Sequence, residues 1–158
     1  MNPEPLYRNL EHDLDRVHEL ARRRFLERDI DAYLSIFSDQ VSYRQLDGKV
    51  VGFSRLHGDV SRQLHSITAA DWKFERHTLE VLNGSPIEVL TQSGYVATTA
   101  FGLLHRIWKL FRRGRYSWTR EGSDWKIISV EIESETIQAV GIQFGWRPHL
   151  PSEPVNAA

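Results

Sequence analysis

The sequence predicts an α+β domain in which N-terminal helices pack in a curved, mostly antiparallel sheet. Three observations carry this. Apolar residues recur at three- and four-residue steps through the first third of the chain. After Asp71 the pattern turns to β-branched and aromatic runs separated by turn residues. The helices precede the strands instead of alternating with them, which places them on one face of a single sheet.

Leu10, Leu14, Val17, Ala21 and Phe25 trace one face of a first helix, entered after Pro5, with charged residues between them. Ile30, Tyr33, Leu34 and Phe37 repeat the spacing on a shorter second helix that Asp29 can cap. Val41 to Leu46 alternates, Asp47-Gly48 turns and Lys49 to Val51 continues extended, which reads as a short hairpin. Ser54 can cap a third helix carrying Leu56, Val60, Leu64 and Ile67, with Gly58 weakening it.

The remainder reads as strands. Trp72 to Leu82 leads to the hairpin turn Asn83-Gly84, and Ile87 to Thr91 leads to Ser93-Gly94. A run from Tyr95 to Phe111 follows; its part from Leu103 also fits a helical face, and strand is preferred. Arg112-Arg113-Gly114 reads as a break, Arg115 to Arg120 as a strand and Glu121 to Asp124 as a turn. Trp125 to Ser134 is the last strand. The expected organisation is an N-terminal extension over 1–5, a domain over 6–138 and a Pro-rich C-terminal tail over 139–158.

Composition narrows the function. At 158 residues, 41% hydrophobic with five Trp and seven Phe, the chain builds one core without staples. It has no cysteine, so disulfides, thiolate metal sites and cysteine nucleophiles are excluded. A net charge of −1 argues against general binding to nucleic acid or anionic membrane. With no signal-like N-terminus and no run of roughly 20 apolar residues, the expected location is cytoplasmic.

The order and spacing of these elements resemble the nuclear transport factor 2-like superfamily. Arg28 to Tyr43 looks like its second helix running into its first strand, Gly52 is similar to the glycine opening its third helix, and Trp125-Lys126-Ile127-Ile128 looks like its last strand. The resemblance covers Leu6 to Ser134. It implies a pocket inside the cone, in a superfamily that spans ketosteroid isomerases, SnoaL-like cyclases, scytalone dehydratases and noncatalytic members. The isomerase pattern departs at all three of its functional positions: Gln45 stands for the general-base Asp, Ala21 for the oxyanion-binding Tyr and Arg115 for the protonated Asp. A Gln cannot accept a proton near neutral pH, so steroid isomerisation is not expected.

That alignment, with a four-residue turn pairing Arg115, Ser117 and Thr119 with Val130, Ile128 and Lys126, points the same residues inward. The expected pocket holds Tyr43 and Gln45 from the first strand, Thr99, Phe101, Leu103 and His105 from a middle strand, and Arg115, Ser117, Ile128 and Val130. His105 is the candidate general acid/base, because imidazole titrates near neutral pH, and Tyr43 is its candidate catalytic partner. His12, His18 and His57 read as solvated helix residues, His65 as a helix-terminal cation, and His77 fits either face of its strand.

No histidine pair has zincin spacing, and no phosphate loop or nucleophile elbow is present, so neither metal nor cofactor is expected. Six basic residues interleave with aromatics between His105 and Arg120, a mixture that also suits single-stranded nucleic acid. Glu131, Glu133 and Glu135 on the neighbouring strand explain them better as cross-strand pairs, with Arg112 opposite Glu133. Two functions fit. One is a cofactor-free lyase, cyclase or isomerase acting on a small hydrophobic organic ligand. The other is a noncatalytic binding or assembly module. With Arg115 and Ser117 inward, Tyr116, Trp118, Trp125 and Ile127 would form an apolar patch on the convex face, through which a homodimer is expected.

Overall fold

The computed structural model describes residues 4–152. Helix α1 (Glu4–Leu26) and the short α2 (Ile30–Leu34) are followed by strand β1 (Phe37–Arg44), β2 (Val50–Val51) and helix α3 (Phe53–Ser66). Four long strands complete the chain: β3 (Ile67–Leu82), β4 (Ser85–Phe101), β5 (Leu104–Glu121) and β6 (Asp124–Phe144). They form one curved six-stranded sheet in the order β2-β1-β6-β5-β4-β3, antiparallel except where β1 runs parallel to β6.

The three helices form near where the spacing predicts, except that Phe37, expected on the second, opens β1 and Ile67, expected on the third, opens β3. Leu14 and Ala21 of α1, Leu34 of α2, and Leu56, Val60 and Leu64 of α3 are buried in one core. That core also takes Val41 of β1, Trp118 of β5, and Ile127, Val130 and Ile132 of β6. The Asp29 carboxylate accepts from the Ala32 N–H at 3.1 Å and caps α2. Helix α3 starts one residue before Ser54 and has Gly52 at its N-cap, without a side-chain cap. Arg28 ends α1 at φ 62°, and its guanidinium donates to the Leu64 and Ile67 carbonyls at the end of α3. A cation there complements the negative end of the helix dipole.

Turns decide where the meander folds back, and some fall elsewhere than expected. Asn83-Gly84 is the β3–β4 turn, both residues with positive φ, as its sequence demands. The expected turn at Ser93-Gly94 does not exist: β4 runs straight through it. Gly94 serves another purpose, since a Cβ there would lie 2.1 Å from the Asp71 carbonyl and 2.6 Å from the Trp72 Cα. The expected break at Gly114 is also absent; β5 is continuous, and the missing Cβ makes room for Tyr116 and Ile132. The chain turns instead at Gly102, φ 52°, inside what reads in sequence as one long strand. Strand β6 continues ten residues past the expected end at Ser134, to Phe144.

Candidate functional site

Side chains that pair across a sheet share a face, and β-bulges decide which ones do. From the Glu121–Asp124 turn the β5–β6 register begins as expected, with Thr119 opposite Lys126. A bulge between Ser117 and Trp118 then adds Ile128 to β6, so Val130 lies opposite Tyr116 and not Arg115. A second bulge adds Glu133, so Arg112 lies opposite Glu135. The face under the helices therefore carries Trp118, Tyr116, Gly114, Arg112, Leu110 and Trp108 of β5. The layers at Trp118 and Tyr116 pack against α1; beyond Gly114 the sheet and helices separate.

The separation encloses a cavity of about 1060 Å³. Its walls are apolar where Phe25, Trp72, Val96, Trp108 and Leu110 line it, and polar where Asp59, Arg62, Gln63 and Ser66 of α3, Asp47 of the β1–β2 turn and Thr98 of β4 do. Tyr33 comes from α2, Tyr43 and Gln45 from the end of β1, Gln92 from β4, and Arg112 and Glu135 from facing positions of β5 and β6. Arg112 Nε–H donates to Glu135 Oε2 at 2.5 Å.

These groups tune one another. Burial pushes the Tyr33 phenol up to about 12, with Tyr43 adding to the effect. Burial raises Tyr43 as well, and Glu135 outside it acts in the same direction, while Arg112 pulls the other way. Tyr116, beneath them, is raised chiefly by burial. Burial opposes the Arg112 charge, yet Tyr43, Glu135 and Tyr116 together hold its proton more tightly than usual. At neutral pH the cluster is thus a fixed cation among neutral phenol donors, with one carboxylate already engaged.

Of the residues expected in the pocket, Tyr43 and Gln45 line the cavity. Val130 faces the same side but lies deeper, in the core at 1% exposure. The others are corrected by the bulges and by strand alternation. Arg115 and Ser117 lie on the outer face, with Arg115 reaching Glu133 at 3.8 Å. Ile128 is the extra residue of the bulge. Thr99 donates to the Leu104 carbonyl at 2.9 Å in the β4–β5 turn, and Phe101 stands 80% exposed beside it. Leu103, between them and Gly145, is also outside the cavity.

His105 is the largest correction. It is buried at 2% exposure, but its Nε2–H donates to the Gly145 carbonyl at 2.9 Å and its Nδ1 lies 3.0 Å from the Thr68 hydroxyl. Both ring nitrogens are engaged away from the cavity, tying the end of β6 to β3, so an acid/base role beside Tyr43 has no geometric footing. The convex patch also fails: Trp118 is fully buried, Ile127 is 1% exposed, and Tyr116 and Trp125 pack against the same core.

Sequence reasoning missed Arg112 and Tyr33 as pocket residues, although the predicted pairing of the basic cluster with the β6 glutamates is present as Arg112–Glu135 and Arg113–Glu133. It also missed a buried polar network. His18, expected in solvent, is 7% exposed, and its Nε2–H donates to Glu88 Oε1 at 2.5 Å. The Trp118 indole N–H donates to the same oxygen at 2.9 Å, and Arg76 Nε–H donates to Glu88 Oε2 at 2.9 Å. The only signal for this in sequence is that position 18 falls beside Leu14 and Ala21 on the buried side of α1. Among the described residues no cluster of His, Asp and Glu is arranged to hold a metal ion, and no helix is long and apolar enough to cross a membrane.

No protein-family model and no curated protein matches the chain. Solved structures do. A candidate scytalone dehydratase from Novosphingobium aromaticivorans superposes with a TM-score of 0.67 at 7% identity, covering 94% of each chain. A ketosteroid isomerase-like protein from Erwinia carotovora atroseptica gives 0.59 at 12% identity, over 78% of this chain and 95% of its own. An NTF2-like protein from Cytophaga hutchinsonii gives 0.54 at 13% identity, over 89% and 100%. Such identities speak for architecture alone, and the chain has the nuclear transport factor 2-like fold.

Proposed function

We propose that the chain binds a small hydrophobic organic molecule in the concave cavity, with a carbonyl or anionic oxygen of that molecule set against Arg112 and Tyr43. The observation that carries this is a charged guanidinium and two proton-holding phenols beside the apolar wall of Phe25, Trp72, Val96, Trp108 and Leu110. Apolar walls supply affinity, and a few fixed polar groups supply orientation. The scytalone dehydratase and ketosteroid isomerase names of structural neighbours are compatible with such a ligand.

The same groups limit the chemistry. Tyr33, Tyr43 and Arg112 donate hydrogen bonds and can stabilise an oxygen that gains negative charge, as in a lyase or isomerase passing through an enolate. None of them accepts a proton near neutral pH. Of the carboxylates lining the cavity, Glu135 is committed to Arg112, Asp59 to Arg55 and Arg62, and Asp47 to the Lys49 N–H, while Gln45 occupies the position where the isomerase resemblance expects the base. These engagements favour binding without turnover as the second reading.

Native mass spectrometry of protein purified without denaturation tests the proposal. The expected spectrum contains the chain plus one organic molecule, and the adduct disappears when Leu110→Arg fills the cavity. A bare chain that also fails to take up any of a panel of aromatic and polycyclic carboxylates and ketones would overturn it.

A further inference from the structure

The sheet wall of the cavity changes character along the strands. Its inner-face side chains fall into rungs set by the register. The innermost rung holds Gln92, Arg112 and Glu135 on β4, β5 and β6. The next outward holds Trp72, Leu110 and Ile137, and the one beyond it Val96 and Trp108. The wall is thus polar at its deep end and apolar from there to Trp108, roughly 13 Å of strand.

The deep end has unused hydrogen bonds. Arg112 makes one hydrogen bond among the described residues, from Nε, so its terminal nitrogens Nη1 and Nη2 donate to none of them. The Tyr33 and Tyr43 hydroxyls and the Gln92 amide, all lining the cavity, likewise have no partner among those residues. None of these atoms is sealed off. The sealed and unpartnered side-chain polar atoms among the described residues are the indole nitrogens of Trp72 and Trp125.

The arrangement of these donors selects a chemistry. The terminal N–H groups of a guanidinium lie parallel in one plane, which fits the two oxygens of a carboxylate better than the single oxygen of a ketone. Glu135 occupies the Nε side, so the end of the fork is the side left open. Gln92 stands directly opposite Arg112 on β4, with Cβ atoms about 5 Å apart, and Tyr43 approaches from the β1 side. A carboxylate has about four acceptor sites, and the fork, the Gln92 amide N–H and the Tyr43 O–H together supply four donors. We infer that the ligand is a flat aromatic carboxylic acid bound head-first, its carboxylate bidentate on Arg112 and flanked by Gln92 and Tyr43, its rings along Trp72, Leu110 and Trp108. This rests on the cavity being an organic-ligand site and goes further, naming the head group and making Gln92 a specificity residue. Glu135 then faces a second carboxylate across one guanidinium, so it repels the acid and holds its affinity down.

Isothermal titration calorimetry at neutral pH with three probes of one shape, 2-naphthoate, 2-naphthamide and 2-acetonaphthone, tests this. The acid is expected to bind about tenfold tighter than the amide or the ketone, the margin of a charge-assisted over a neutral hydrogen bond. Arg112→Lys keeps the charge but loses the fork and should erase most of that margin. Gln92→Leu should weaken the acid more than the ketone. Glu135→Gln should tighten the acid by a factor the ketone does not share. A ketone or amide that binds as tightly as the acid overturns the inference and leaves the cavity's binding role standing. So does a margin that survives Arg112→Lys intact. Should Arg112→Lys fail to fold, Glu135→Gln decides in its place, and an equal change for acid and ketone overturns the inference. If no probe binds the wild type, the binding proposal falls and takes the inference with it.

Discussion

His18 and Glu88 meet at 2.5 Å between α1 and β4, with the carboxylate wholly excluded from water. A lone buried carboxylate is costly; this one receives hydrogen bonds from His18, Trp118 and Arg76. Arg76 in turn reaches Asp15 at 2.7 Å and Glu11 at 3.6 Å on α1. The network therefore fastens the first helix to the β3–β4 hairpin at the closed end of the cone, below the cavity.

Removing its acceptor is expected to destabilise the domain without altering the sheet. Glu88→Gln leaves one oxygen for three donors and takes from Arg76 its buried carboxylate, leaving it only Asp15 and Glu11. Breaking a buried pair in this way costs about 3–5 kcal/mol. Urea denaturation read by tryptophan fluorescence checks this. A loss below about 1 kcal/mol would mean that the network contributes specificity and little stability.

The same carboxylate gives a pH dependence of definite sign. Burial works to raise the Glu88 pKa, but the His18 and Arg76 contacts outweigh it, and the folded value lies below the ordinary one. A group lowered on folding stabilises above its unfolded pKa, about 4.3 for Glu, and that stabilisation is lost as pH falls through the folded value. Wild-type stability should therefore fall off below about pH 4.3, and the fall should be shallower in Glu88→Gln.

Which of these features the sequence announces depends on how local their causes are. Helix faces, the Asp29 cap and the turns at Asp47-Gly48 and Asn83-Gly84 follow from neighbours in the chain and are found where the pattern places them, save that Phe37 and Ile67 leave their helices to open strands. The identity of the inner face does not. It turns on single-residue insertions at Ile128 and Glu133, and a period of two converts each into a change of side. Tyr43 and Gln45 lie where expected, beyond the register shift that β1 makes against β6 between Phe37 and Ser42. Gly94 and Gly114 mislead for a related reason: close packing and turning both need glycine, and only tertiary neighbours say which.

The face assignment has its own test. Trp118→Ala empties a fully buried site and removes a donor from Glu88, so a loss of about 3–5 kcal/mol is expected. Arg115→Ala, on the outer face, should change stability by no more than about 0.5 kcal/mol. Thermal unfolding of both variants decides; equal losses, or the reverse order, would contradict this sheet.

Gly94→Ala should be far worse than its chemistry suggests. The added carbon meets the backbone of β3 at Asp71 and Trp72, so the hairpin must open instead of a side chain moving aside. Trp72 lines the cavity and packs edge-on against Phe25 at 4.9 Å, so the damage reaches both. The expected result is low soluble yield, or a folded minority with altered tryptophan emission. Full wild-type stability would mean that β3 and β4 lie further apart at this point.

The cavity cluster predicts how binding should respond to charge and to pH. The fluorescent aromatic anion 1-anilinonaphthalene-8-sulfonate is a suitable probe, offering apolar rings to the walls and an anionic oxygen to Arg112. The double substitution Arg112→Met with Glu135→Met removes the cation without leaving its carboxylate partner alone. A charge-assisted hydrogen bond contributes about 1.5–3 kcal/mol, so affinity should fall roughly 10- to 150-fold. Tyr43→Phe deletes a neutral donor and should cost only about 0.5–1.5 kcal/mol, or roughly 2- to 12-fold. Arg112 stays charged, and burial raises both phenols, Tyr33 to about 12 and Tyr43 in the same direction. The wild-type affinity should therefore be flat from neutral pH to well above it, because no group facing the probe changes charge there. A fall between neutral pH and pH 9, or a larger loss for Tyr43→Phe than for the double substitution, would move the anion's site away from Arg112.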